Sequence, residues 1–353
     1  MSQIERYSSV TMLEMLQEVE QPSSFFTQTF FPNELMFTTQ SVEWDIVRKG
    51  RALAPFVSPT VRGRPYRPDG YATRSLRPAY VKQSSIIDPY RPLARKAGEM
   101  WGGSLTPAQR LDMIMMEEME KHDKNLKLRM EWMAVNSVIN GGYTVSGEEF
   151  PAYEVNFDYD PNLFVTLAGA LTWDLPTARP LDDIERLASQ VRTISYGAVC
   201  TDVIMDRQAW EFLRAHQSTT DLLNLDIKRS DLAVTNFDLG IRSERYGNGV
   251  GAEVVATVAG RFRIWVYEAY YEDNDGVTRA FMPENTVIVA APAETEGHQL
   301  YGAILDADAG YQASKMWMKS RDMWDPTGTE ILSSSAPLVA PKRVNTHGVM
   351  TVA

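Results

Sequence analysis

The sequence predicts a mixed fold of α and β elements, of α/β or α+β class, and three observations point to it. Residues 107–139 carry one long helical pattern. Residues 182–291 alternate helix and strand signals in a way that suits a sheet with helices on it. Between them and the N-terminus lies a basic, proline-rich arm, residues 48–98, that lacks the apolar side chains to form a core of its own. A chain of 353 residues, 44% hydrophobic and 23% charged, is long enough for two domains or one large core with excursions.

The elements follow in order. Residues 4–19 show a helical apolar stripe (Met12, Met15, Leu16, Val19) that ends at Pro22. Phe25, Phe26, Phe30 and Phe31 form an exposed-looking aromatic cluster in an extended arm. Four phenylalanines within seven residues must dock somewhere, either on a neighbouring copy or under the long helix. Residues 38–47 (TTQSVEWDIV) read as a strand. The arm 48–98 holds 12 Lys/Arg and two acids, Asp69 and Asp88, a net +10 in a chain of −11, so everything else sums to −21. A turn candidate at Pro68-Asp69-Gly70 between two extended legs makes the arm a long hairpin.

Thr106 before Pro107, with Gln109 three residues on, predicts a capped helix start. Leu111, Met115, Met119, Leu126, Met130 and Met133 then form one stripe, interrupted by His122, and Asn140-Gly141-Gly142 stops it. Residues 143–157 read as a β-hairpin turning near Ser146-Gly147. The proline-bearing stretch 174–181 is a candidate boundary. Helix over 182–193, strand over 199–205, and helix over 206–216 with Asp206 as N-cap come next. Residues 250–272 and 286–291 are strand-like and separated by an Asn274-Asp275-Gly276 turn.

Several chemical readings are excluded or weakened. No apolar run approaches the roughly 20 residues of a membrane span, and the N-terminus lacks a signal-peptide core. Cys200 is the sole cysteine, so no intrachain disulfide is possible and a reducing compartment is expected. Residues 117–123 (EEMEKHD) place Glu118 and His122 four apart as metal ligands would be, but no third ligand cluster stands out, and a solvated helix flank explains them. Residues 246–253 (YGNGVGAE) lack the Lys-Ser/Thr ending of a phosphate loop. Residues 306–310 (DADAG) lack the rest of a calcium-loop spacing. His298 and Asp306 have no nucleophile signature to serve. No catalytic, metal or cofactor-binding residue and no cofactor is assigned, and the chain is not expected to be an enzyme.

The string ALAPFVSPTVRGRPYRP…YATRSLRPAYVKQSSIIDP resembles the extended loop of the lambda-type major capsid proteins of tailed phages. Residues 128–156 resemble that family's long-helix end and following hairpin. DDIERLA (182–188), the segment 206–213 with Trp210, FMPENTVIV (281–289), YGAILDADA (301–309) and SSSAPLVAP (333–341) recur in the family's order. Residues 1–40 and 217–250 resemble it least.

The resemblance implies an α+β protein of the Hong Kong 97-type capsid fold. It implies an N-terminal arm (1–40) and a peripheral domain (41–180) that includes the extended loop 48–98 and the spine helix 107–139. An axial domain (181–322) and a C-terminal return to the peripheral domain (323–353) complete it. It implies a major capsid protein of the virion, assembled in the host cytoplasm. Copies would form pentamers and hexamers that close an icosahedral shell around double-stranded DNA, which it meets by proximity only. Further partners would be a decoration protein, a scaffold and a portal, with no membrane. Expected inter-subunit contacts are Arg62, Arg64, Arg67, Arg74, Arg77 and Lys82 of the arm, with Phe25, Phe26, Phe30 and Phe31. The alternative from another class is a nucleic-acid-binding module using the basic 48–98 arm, where Arg residues alternate with Tyr66, Tyr71 and Tyr80. A hydrolase with an unrecognised site is a third.

Overall fold

A computed structural model describes residues 24–39, 41–47, 56, 59–60, 71–94, 105–147, 150–216, 251–258, 261–273, 275–325 and 327–353. The expected helix over 4–19, the turn at 68–70 and residues 246–250 of the glycine-rich stretch 246–253 lie outside these residues.

A six-stranded mixed sheet organises one half. Its order is β7 (Phe164–Thr166), β18 (His347–Thr351), β13 (Thr286–Ala290), β8 (Asp202–Met205), β10 (Phe262–Tyr267) and β9 (Ala252–Val258). β8 (DVIM) and β13 (TVIVA) are buried at every position, as central strands covered on both faces must be. The two-residue period of a strand divides them. Val203, Met205, Val287 and Val289 face helices α3 (Pro180–Ile194) and α4 (Arg207–Ala215), whereas Ile204 and Ile288 face a second core. Asp206 caps α4, accepting hydrogen bonds from the N–H groups of Gln208 (3.0 Å) and Ala209 (3.3 Å). Sheet membership does not follow chain order, because β18, from the C-terminal end of the chain, lies between β7 and β13.

The long helix α2 (Pro107–Ile139) joins the two halves. At 33 residues it is about 50 Å long. Its start is the predicted capping box: the Gln109 N–H donates to Thr106 Oγ1, and the Thr106 N–H to Gln109 Oε1. The first half rests on a three-stranded sheet of β15 (Trp317–Met323), β16 (Gly328–Ser335) and β4 (Val81–Ile87). There Leu111, Met115, Met119 and Leu126 pack with Ile87, Met318 and Ile331. The second half, from Met130 to Ile139, packs into the second core with Trp265, Tyr267 and Ile288. After Asn140 come β5 (Gly142–Gly147) and β6 (Phe150–Asn156), the predicted hairpin.

Two expectations are corrected. Residues 25–30 are not extended: Phe25–Phe30 is a helix, α1. Six residues cannot hold a helix in water by themselves; this one is held by tertiary contact. Phe25, Phe26, Phe30 and Phe31 are 0–1% exposed and form part of the chain's own core beneath α2. β1 (Asn33–Met36) follows and adds parallel to β14 (His298–Tyr301), whose other edge pairs with β17 (Pro337–Ala340). Second, the flank around Glu118 and His122 is not solvated; both side chains are buried between α2 and β4.

Candidate assembly surfaces

The basic arm is a hairpin at its root. β2 (Val42–Val47) pairs antiparallel with β3 (Tyr71–Leu76), with Val42 opposite Leu76 and Val47 opposite Tyr71. The arm thus leaves and returns along one ladder. The chain then enters β4, which pairs with β16 from Ile87 opposite Thr329 to Val81 opposite Ser335. Exposure along β4 alternates: Lys82, Ser84 and Ile86 point outward, whereas Gln83, Ser85 and Ile87 turn toward α2.

The inward positions fasten the arm's root to the helix. Gln83 donates to the His122 carbonyl (3.2 Å) and accepts from Asn125 Nδ2 (3.1 Å). Ser85 Oγ donates to Glu118 Oε2 at 3.3 Å and lies 2.9 Å from His122 Nε2. Arg91 and Lys121 both reach Glu118 Oε1, at 2.8 and 3.1 Å. Burial pushes the Glu118 carboxyl up, but these two cations outweigh it and hold it below the usual range. Burial pushes the His122 imidazole down against a smaller opposing pull from Glu118, so it is neutral near pH 7. Ser, His and Glu here do not form a nucleophile–base–orienter chain. Glu118 meets the serine, and His122 Nδ1 is buried without a hydrogen-bond partner among the described residues.

The structure distributes the predicted contact residues unevenly. Arg62, Arg64 and Arg67 lie outside the described residues. The backbone of Arg74 sits in β3, opposite Trp44. Arg77 is exposed just beyond β3, and its carbonyl accepts the Tyr153 hydroxyl at 2.8 Å. Lys82 is exposed on β4. Among the described residues neither Arg77 nor Lys82 makes an ion pair. Lys319 holds the Asp306 carboxyl below its usual range, and Ser84 and Arg321 do the same for Glu330, with Lys82 adding to both at longer range. Asp306 and Asp308 share Lys319 at 2.6 and 3.0 Å, so that loop is closed by a cation of this chain.

Sequence reasoning missed the Arg91–Glu118 anchor. The signal was present, since His122 and Glu118 fall at helical spacing within the Met115–Leu126 stripe. An aromatic and apolar set was also missed. Ile86, Tyr90, Leu93 and Trp324 are 57–95% exposed and lie at one end of the β15–β16–β4 sheet, by register with Met323 and Gly328. A cavity of about 550 Å³ opens between the start of α3 and the sheet face, lined by Leu181, Ile184, Val203, Phe262 and Ile264. Of its ionisable neighbours, Asp182 pairs with Arg179, and His216 Nε2 lies 2.7 Å from the Trp173 carbonyl. No group of three or more His, Cys, Asp or Glu that could hold a metal occurs among the described residues. Burial pushes the Cys200 thiol up to about 12, which leaves it unreactive near neutral pH.

Comparison with known proteins covers almost the whole chain. Residues 8–352 match the family described as phage major capsid protein E. The major capsid protein of Escherichia phage lambda is 29% identical over 345 residues, which span 94% of this chain and 96% of the relative. That of Enterobacteria phage phi80 is 28% identical over 94% and 95%. The crystal structure of a prophage protein from E. coli CFT073, described as a capsid protein, superposes with a TM-score of 0.73 at 20% identity over 100% of both chains. The mature capsid subunit of bacteriophage PhiM1 gives 0.50 at 12% identity, over 95% of this chain and 88% of that one.

Proposed function

The chain belongs to the phage major capsid protein E family, and we propose that its copies form pentamers and hexamers that close an icosahedral head around double-stranded DNA. It is a structural component of the virion, not an enzyme. In this reading the fold is of the Hong Kong 97 type. α2 is the spine helix, the β2–β3 hairpin is the base of the extended loop, and the six-stranded sheet with α3 and α4 forms most of the axial domain.

The observation that carries the reading is the asymmetry of the arm. Its root is fixed to α2 and β16 by Gln83, Ser85 and Arg91, while Arg77 and Lys82 stay exposed and take no ion pair among the described residues. A rigidly rooted cationic hairpin on an acidic chain presents its charge to another molecule. Carboxylates of a neighbouring copy are the abundant partner, because the chain outside 48–98 sums to −21. Each exposed pair contributes under about 1 kcal/mol, so the shell depends on repetition and on an apolar seam. Ile86, Tyr90, Leu93 and Trp324 supply apolar area for such a seam. Scaffold, portal and a decoration protein complete the assembly, and DNA lies beside the wall without tight contact, since a net −11 protein repels it.

Negative-stain microscopy of the purified protein tests this. Capsomers, tubes or shells are the expected outcome. A monodisperse monomer that instead binds oligonucleotides with steep salt dependence would overturn it in favour of the nucleic-acid reading.

A further inference from the structure

Glu131 is an unusual residue for the place it occupies. It is 1% exposed, in the middle of the second core, and among the described residues no cation pairs with it. Four donors converge on its carboxylate instead. The Phe26 N–H donates to Oε1 (2.8 Å) and the Thr27 N–H to Oε2 (2.9 Å). Thr27 Oγ1 donates to Oε2 (2.7 Å) and the Tyr267 hydroxyl to Oε1 (3.0 Å). Three of the four bonds come from the first turn of α1, whose backbone N–H groups have no partner within so short a helix. No side chain of α1 itself caps it. Glu131 thus caps α1 from 104–105 residues away.

The other end of α1 is held by a close fit. The Gly297 N–H donates to the Phe30 carbonyl at 3.1 Å. A Cβ at Gly297 would lie 2.3 Å from the Phe31 ring and 2.4 Å from that carbonyl. β1 then continues along the edge of β14, with all four residues exposed. Residues 24–37 therefore meet the body through the four rings packed on Trp265, Tyr267 and His347, and are fixed at their ends by a buried carboxylate, a glycine-sized gap and one strand edge.

We propose that residues 24–37 form a clasp that opens and closes as one unit on the body, with Glu131 as its catch. Closed, it stores four phenylalanine rings inside the chain. Open, it presents them, together with the cleft they leave between α2 and β10, as an apolar surface that associates with other copies. Glu131 thereby controls when the chain becomes adhesive. The catch works on the unassembled chain, so its test does not depend on shells forming.

The test is hydrogen exchange on the full chain in its unassembled form, for wild type, Glu131→Gln and Gly297→Ala. Glutamine keeps the shape but offers a single acceptor oxygen and turns an NH₂ donor toward donors. Both variants are expected to raise exchange at least tenfold in peptides covering 24–37, while peptides from 112–126 and 328–351 stay within twofold of wild type. Sedimentation should then show the variants associating at lower concentration than wild type. Where Glu131→Gln fails to fold, Thr27→Val removes one of the four donors and should give a smaller change confined to the same residues. Unchanged exchange over 24–37 in the variants, or an equal rise throughout the body, would overturn the proposal.

Discussion

His347 shows how much one buried group determines. Its Nε2 lies 2.9 Å from the Val138 carbonyl, its ring sits 4.8 Å from Tyr159, and Phe30 packs edge-on at 6.1 Å. Burial lowers its pKa to about 4, only partly opposed by the bond to Val138. A base whose folded pKa is depressed is held neutral, so the native state binds fewer protons than the unfolded chain between pH 6.5 and about 4. Stability should be full above 6.5 and fall by about 3 kcal/mol as pH drops to about 4. Glu131 works in the other direction. Burial raises its carboxyl while the hydrogen bonds from Phe26, Thr27 and Tyr267 pull it back, so its shift is opposite in sign to that of His347. The two are separated by comparing urea midpoints from pH 7.5 to 4.5 for wild type and His347→Leu. The variant should lose most of the acid-side slope, and an unchanged slope would mean that His347 is solvated. The Arg91–Glu118 contact is a second case. Its Arg is half exposed, so Arg91→Ala should cost about 1 kcal/mol or less in global stability. It should nevertheless speed proteolysis within the arm, because the anchor between arm and helix is gone.

At the scale of elements, α2 rests on its caps and its methionine-rich face. Met119 is 2% exposed, and Met119→Asp places an unpaired carboxylate against Met318 and Ile331, costing several kcal/mol. Thr106→Ala removes the exposed capping box and should cost about 1 kcal/mol. Thermal melts of the two variants check the ranking; equal melting points would show that 107–139 is not a packed helix. The elements that could be read from sequence alone are those whose cause is local. Thr106-Pro107 with Gln109, the stripe from Leu111 to Met133, Asp206 as a cap and the 143–157 hairpin all carry their determinants within a few residues. α1 could not be read that way, because its cap is Glu131 and its rings pack on Trp265 and Tyr267. The burial of Glu118 likewise depends on β4, which the sequence shows only as part of a basic arm. The pairing of β4 with β16 joins residues more than 240 apart, and nothing local encodes it.

At the scale of the molecule, charge and topology argue together. The chain places +10 in residues 48–98 and −21 elsewhere, and folds so that the arm is rooted in a rigid helix–sheet junction. In the proposed assembly this separation lets each copy offer one sign to the next. The family match over residues 8–352 places the chain among phage major capsid proteins, and the proposal is that the arm holds neighbouring copies. The most direct measurement is assembly of the triple reversal Arg62→Glu, Arg64→Glu and Arg67→Glu, followed by analytical sedimentation and circular dichroism beside wild type. An unchanged dichroism spectrum and the loss of fast-sedimenting shells are expected in the triple variant. Shells of normal size and yield from that variant would contradict it.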